Sequence, residues 1–182
     1  MTKVSIAMYS TFIQPGWKSQ RLEKLVPLLI SKKIFEKGYG LKRFKQSNNN
    51  NYLDLSFFPL LCAEIVFRFS KFFNFPKYLP YLAGEYSLGI NFSKKIYTDN
   101  SEVILLKPRP LSLINSAKSS GKIVIIEYGE MHPCHTFSVM INAYKEFNIK
   151  SKYIYTSNFA LKQSLKAIDI ADIILVLSEA SK

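Results

Sequence analysis

The residue types best suited to chemistry sit together between Lys122 and His135, in the run KIVIIEYGEMHPCH. Glu127, Glu130, His132, Cys134 and His135 fall within nine positions. Imidazole and thiolate are zinc-ligand types, but H-P-C-H is poor spacing for one ion: neighbours 134 and 135 point apart in most backbones, and no second ligand pair stands elsewhere. No metal is therefore expected. His132 with Glu127 or Glu130 could form a base-and-orienter pair, the carboxylate fixing the imidazole tautomer. The alternative is a loop histidine that caps backbone groups. There is no G-x-S-x-G elbow. Neither G-x-x-x-x-G-K-[ST] nor G-x-G-x-x-G occurs, so an ATPase or nicotinamide enzyme is not expected and no cofactor is implied. Gly16 is the glycine in the first strand-to-helix loop, where helix amides could still meet an anion.

These residues need a scaffold, and the chain is long enough to build one. Its 182 residues suit a single domain, 1–182, with its own core. Cys62 and Cys134 are too few for a disulfide framework and are expected as reduced, buried or half-buried small hydrophobes. No secretory signal is read at the amino terminus, so a cytoplasmic location is expected. Leu53 to Phe73 is the most hydrophobic segment, yet Pro59, Glu64, Arg68 and Lys71 interrupt it, which disqualifies it as a membrane span. The net charge is +12, and residues 1–50 hold +8 of it. Such a patch attracts nucleic acid or an anionic membrane surface. Nucleic acid is not an expected partner, because no zinc finger, RNP-like strand or recognition-helix pattern accompanies the charge.

Along the chain, Val4 to Tyr9 reads as a strand and Trp17 to Lys37 as a helix interrupted at Pro27 and stopped by Gly38. Leu41 to Lys45 reads as a short second strand and Gln46 to Tyr52 as a loop. Leu60 to Phe73 and Leu82 to Tyr97 have helical spacing, with a proline-punctuated turn at Phe75 to Pro80. Phenylalanines and cations mix in the first of these, as in an interfacial segment or a core helix with solvated lysines. Glu102 to Leu106 is a strand, Leu111 to Ser119 a helix closed by Gly121, and Ile123 to Glu127 a strand. Thr136 and Ser157 are the expected caps of the two helices that follow, and Ile173 to Leu177 is the last strand.

Strands alternating with helices, and reading as continuous apolar runs, indicate an α/β fold. The expected form is a Rossmann-like parallel sheet with helices on both faces. Right-handed crossovers put the loops after Tyr9, Leu106, Glu127 and Leu177 on one edge. That edge collects Ser10, Thr11, Gly16, Lys107, Arg109, Glu127, Glu130, His132, His135, Ser178 and Glu179.

The run GKIVIIEYGEMHP and the closing segment AIDIADIILVLSEASK together resemble the amino-terminal domain of group 1 (family 4) glycosyltransferases. The match covers about the last 60 residues, Gly121 to Lys182, and is topological before them. The first loop departs from the family by lacking its double glycine. The resemblance implies the amino-terminal half of a glycosyltransferase B-type fold. A nucleotide-sugar donor would be held by a second domain that this chain lacks, and a glycan or glycolipid acceptor by this one. His132 would lie near the reacting sugar, with Glu130 or Glu127 orienting it or the acceptor hydroxyl. Ser10, Gly16, Ser178 and Glu179 would line the acceptor side of the cleft. Charge, not the family, suggests that Lys107 and Arg109 meet acceptor phosphates. The expected function is sugar transfer to a lipid-linked or growing surface glycan, inactive without the donor domain and peripheral on the inner face of the membrane. The other reading is a basic membrane-surface or glycan-binding module without chemistry.

Overall fold

The structure, a computed structural model, describes residues 5–9, 37–40, 52–54, 58–128, 132–150 and 156–176. Six strands make one parallel sheet: β1 (Ile6–Tyr9), β2 (Lys37–Gly40), β3 (Tyr52–Asp54), β4 (Val103–Leu106), β5 (Ile123–Tyr128) and β6 (Ile173–Val176). Five helices are described: α1 (Phe58–Phe73), α2 (Tyr78–Thr98), α3 (Leu111–Ser119), α4 (Pro133–Glu146) and α5 (Asn158–Ile170). The spatial order is β3-β2-β1-β4-β5-β6. The chain therefore winds one way from β1 to β3 and the other way from β4 to β6, and the reversal lies between β1 and β4.

The core forms on one face of the central strands. Ile104 and Leu106 of β4, Val124 and Ile126 of β5, and Ala7 of β1 are buried there, alternate residues sharing a face as the pleat requires. Against them pack Leu60 and Ala63 of α1, Leu88, Phe92 and Ile96 of α2, and Leu113, Ile114 and Ala117 of α3, with Ala167 of α5. Steps of three and four residues put each helical set on one stripe. Val103 and Leu105 are buried too, so β4 is covered on both faces as expected of a parallel strand. β6 is not. Among the described residues it is an edge strand paired with β5 alone, and Ile173, Ile174 and Leu175 are 40–47% exposed.

Several boundaries differ from expectation. A strand occupies 37–40, so Gly38 continues a strand instead of ending a helix, and the expected strand over 41–45 lies outside the described residues. Lys37–Gly40 has little intrinsic strand preference, but pairing to β1 and β3 on its two sides overrides that. Tyr52, read as the end of a loop, starts β3. α2 starts at Tyr78, four residues ahead of the expected Leu82, because Pro80 falls in the first turn, where its missing N–H has no intrahelical partner to lose. α4 starts at Pro133, with His132 as its cap in place of Thr136. Proline at the first helical position presets the backbone for the helix. Ser157 caps α5 as expected, its Oγ accepting the Ala160 N–H at 3.0 Å. Cys62 is half-buried, but Cys134 is exposed on α4 rather than packed. The expected helix over Trp17 to Lys37 falls outside the described residues up to 36.

Three helices close on a left-handed residue. Asn74 (φ 57°), Gly121 (φ 71°) and Asn148 (φ 47°) follow α1, α3 and α4. In each case the next N–H reaches back five positions: Phe75 to the Ser70 carbonyl, Lys122 to Ala117 and Ile149 to Tyr144. This double-turn closure satisfies carbonyls that a helix end otherwise leaves open.

Candidate functional site

The carboxyl edge between β1 and β4 is where the strand order reverses, and such a crevice is the general ligand position of open parallel sheets. The β4–α3 loop opens on it and carries Lys107, Pro108 and Arg109, ending in a cis peptide bond before Pro110. Both cations are paired. Lys107 Nζ lies 3.0 Å from Glu127 Oε1 at the end of β5, and each side chain is only about a quarter exposed. Arg109 Nη2 lies 3.5 Å from Glu85 Oε1, which reaches the loop from α2. The two pairs tie the β4 loop to strand β5 on one side and helix α2 on the other. An anionic group arriving here meets cations that are held in place yet already partly neutralised.

Glu85 was not anticipated from the sequence. Burial pushes its carboxyl above the usual carboxylate range, and the Arg109 guanidinium pulls in the opposite direction. It lies among small residues, with Gly84, Ser87 and Gly89 buried beside it on α2. A Cβ on Gly89 would collide with the Ser112 hydroxyl, so α2 and α3 approach closely there. An acid amid closely spaced glycines was the available signal. The amide of Leu111 is also held, donating to Gln163 Oε1 of α5 at 3.4 Å.

His132 stands exposed at the head of α4. Its Nδ1 accepts the Cys134 N–H at 3.3 Å, and its carbonyl accepts the N–H groups of His135 (2.9 Å) and Thr136 (3.1 Å). It thus does cap backbone groups. With Nδ1 turned back to the helix, Nε2 lies on the opposite side of the exposed ring. Capping and substrate contact use opposite sides of the ring and are compatible.

Below the edge, Asp172 fastens the start of β6. Its Oδ2 accepts the Val124 N–H at 2.8 Å, its own N–H donates to the Val124 carbonyl at 3.0 Å, and Lys118 Nζ lies 2.7 Å from Oδ1. The Lys118 hydrogen bond, then the Val124 amide, hold its carboxyl below the usual range. Asp172 of the closing segment therefore has a structural role here: it sets β6 in register with β5.

Of the expected site residues, the structure places Lys107, Arg109 and Glu127 together at the carboxyl edge and His132 at the helix that follows β5. Ser10, Gly16, Glu130, Ser178 and Glu179 lie outside the described residues. Among the described residues no cluster of three His, Cys, Asp or Glu could hold a metal ion. No helix among them is long and apolar enough to cross a membrane. No protein-family model matches the chain, and no curated protein or solved structure matches it either.

Proposed function

We propose that this chain is the acceptor-side domain of a glycosyltransferase with a B-type, Rossmann-like architecture. It would hold a lipid-linked or growing glycan while a separate donor domain presents the nucleotide sugar. The reading rests above all on one observation: Lys107 and Arg109 leave β4 at the point where the parallel strand order reverses, and both are anchored there by carboxylates. The sequence resemblance of residues 121–182 supports it independently.

In this scheme the acceptor hydroxyl attacks the anomeric carbon of the donor sugar as the bond to the nucleoside diphosphate breaks; the diphosphate leaves with the electron pair, and the hydroxyl's proton passes to an oxygen of that leaving diphosphate. This chain's residues position the acceptor. The Nε2–H of His132 donates to a sugar oxygen near the reacting carbon. Glu127, held by Lys107, and Glu130 orient His132 or the attacking hydroxyl. Arg109 and Lys107 meet an acceptor phosphate, and Glu85 keeps the Arg109 guanidinium aimed at the crevice.

The test is acceptor binding by the chain alone, read by calorimetry with a short-chain polyprenyl-diphosphate-linked sugar. Binding should weaken about tenfold or more in Arg109→Ala, the loss of one charge-assisted contact. Adding a donor domain and nucleotide sugars should then give transfer that His132→Ala abolishes. Neither binding of the acceptor nor transfer with any donor domain would sink the proposal.

A further inference from the structure

Helices α1 and α2 form an antiparallel hairpin whose free end is Asn74–Lys77. A 21-residue helix is about 31 Å long, whereas the four residues of β4 span about 13 Å, so α2 must overhang the sheet. Gly89 marks where it does so, because it abuts Ser112 at the start of α3, level with the carboxyl edge. The stretch from Tyr78 to Leu88 therefore rises beyond that edge by about 16 Å, carrying the end of α1 with it.

The end of the hairpin is aromatic and uncovered. Phe69, Phe72, Phe73 and Phe75 are 58%, 80%, 54% and 50% exposed. They form one cluster, with Phe73 centred 6.3 Å from Phe69, 5.0 Å from Phe72 and 5.7 Å from Phe75. Cations frame it: Lys71 is exposed on α1 with its Nζ 4.4 Å from the Phe67 ring, Arg68 is exposed beside it and paired to Glu64 at 3.1 Å, and Lys77 lies in the turn. Between Glu64, which Arg68 pairs, and Glu85, which Arg109 pairs, no Asp or Glu occurs, so no unpaired carboxylate in this stretch repels an anionic surface. A projecting, convex knob of aromatic rings ringed by lysine and arginine fits a soft partner that closes around it. Lipid at the headgroup–acyl boundary is such a partner, taking the rings while phosphates meet the cations.

We propose that the tip of the α1–α2 hairpin, through Phe69, Phe72, Phe73 and Phe75 with Arg68, Lys71 and Lys77, docks into the interfacial layer of an anionic bilayer. The docking would turn the carboxyl edge, with Lys107 and Arg109, toward the membrane at roughly the height of the overhang, about 16 Å. It stands apart from the transfer reaction, since vesicle binding needs no nucleotide sugar; either proposal can fail while the other survives.

The full chain is cosedimented with phosphatidylcholine vesicles, with and without about a third phosphatidylglycerol, at low and high salt. Binding should need the anionic lipid, weaken with salt, and fall about tenfold or more in the double variant Phe72→Ser/Phe73→Ser. Circular dichroism shows whether that variant remains folded. Because Trp17 is the one native tryptophan, Phe72→Trp in a Trp17→Phe background gives an independent readout. Its emission should shift to the blue on anionic vesicles and be quenched by lipids brominated near the headgroup. An unshifted, unquenched emission, or vesicle binding unchanged in the double variant, would overturn the proposal. So would self-association abolished by that variant in a chain that ignores vesicles, which would mean that a second copy covers the tip.

Discussion

The two ends of the α1–α2 hairpin are made of the same kinds of residue and end in opposite environments. At its root, Leu60, Ala63, Leu88, Phe92 and Ile96 are buried in one cluster with Ile104, Leu106, Val124 and Ile126 of the sheet. At its tip, Phe69, Phe72, Phe73 and Phe75 stand in water. Helical periodicity is unbroken along both helices, so the difference lies in what the helices meet: the core over the sheet for the first part of the hairpin, and no other element among the described residues for the rest. Apolar content thus builds the helix, while reach beyond the sheet decides whether its side chains stabilise the fold or wait for a partner.

The sharpest test of that contrast is at the root. Phe92 is fully buried among α1, α3 and the sheet, and Phe92→Ala should destabilise the chain by about 3–5 kcal/mol, lost transfer and cavity combined. A drop of under 1 kcal/mol in urea unfolding would mean the root is not the packed core described.

A smaller effect is expected where the hairpin reverses. Asn74 adopts φ 57°, so Asn74→Ala should cost about 1 kcal/mol, while Asn74→Gly should be neutral or slightly stabilising. Equal effects of the two would show that the turn does not depend on the left-handed residue. The hairpin helices were legible in sequence because Pro59, the Phe75 to Pro80 turn and three- and four-residue spacing bracket them. Their burial was not, since the mixture of Phe67 to Phe73 with Arg68 and Lys71 suits a core stripe and an exposed one equally. The same holds for strands. Val103–Leu106 and Ile173–Val176 read alike, yet one is central and buried and the other is an exposed edge. β2 and β3 were missed because KGYG and YLD become strands only through their neighbours. At the site, Lys107, Arg109 and Glu127 could be foreseen from strand–helix alternation alone. Glu85 could not, because its partner Arg109 is 24 positions away and only the overhang of α2 brings them together.

Glu85 lies between root and tip and gives the contrast a pH dependence. Its carboxyl is raised by burial, so between the unfolded glutamate value of about 4.3 and its higher folded value the native state binds more protons than the unfolded chain. Stability should therefore fall as pH rises through that window and level off above it. Glu85→Gln should remove this part of the slope, visible as a flatter profile of urea midpoints from pH 4 upward. A slope unchanged by the substitution would place its origin elsewhere, and a slope of opposite sign would mean that Arg109 outweighs burial.

The smallest stability effect belongs to the tip. Phe72 is 80% exposed and touches mainly Phe73, so Phe72→Ala removes little that folding had buried. Its effect on unfolding should lie within about 0.5 kcal/mol of zero, as for surface positions generally. A small stabilisation is equally consistent, because alanine favours the helix over phenylalanine by a few tenths of a kcal/mol. The measurement gains its force beside Phe92→Ala: two phenylalanines of one hairpin, one decisive for folding and one nearly silent. A loss above about 2 kcal/mol at Phe72 would show that the tip is packed against the protein itself, and the reason for assigning it a partner would vanish.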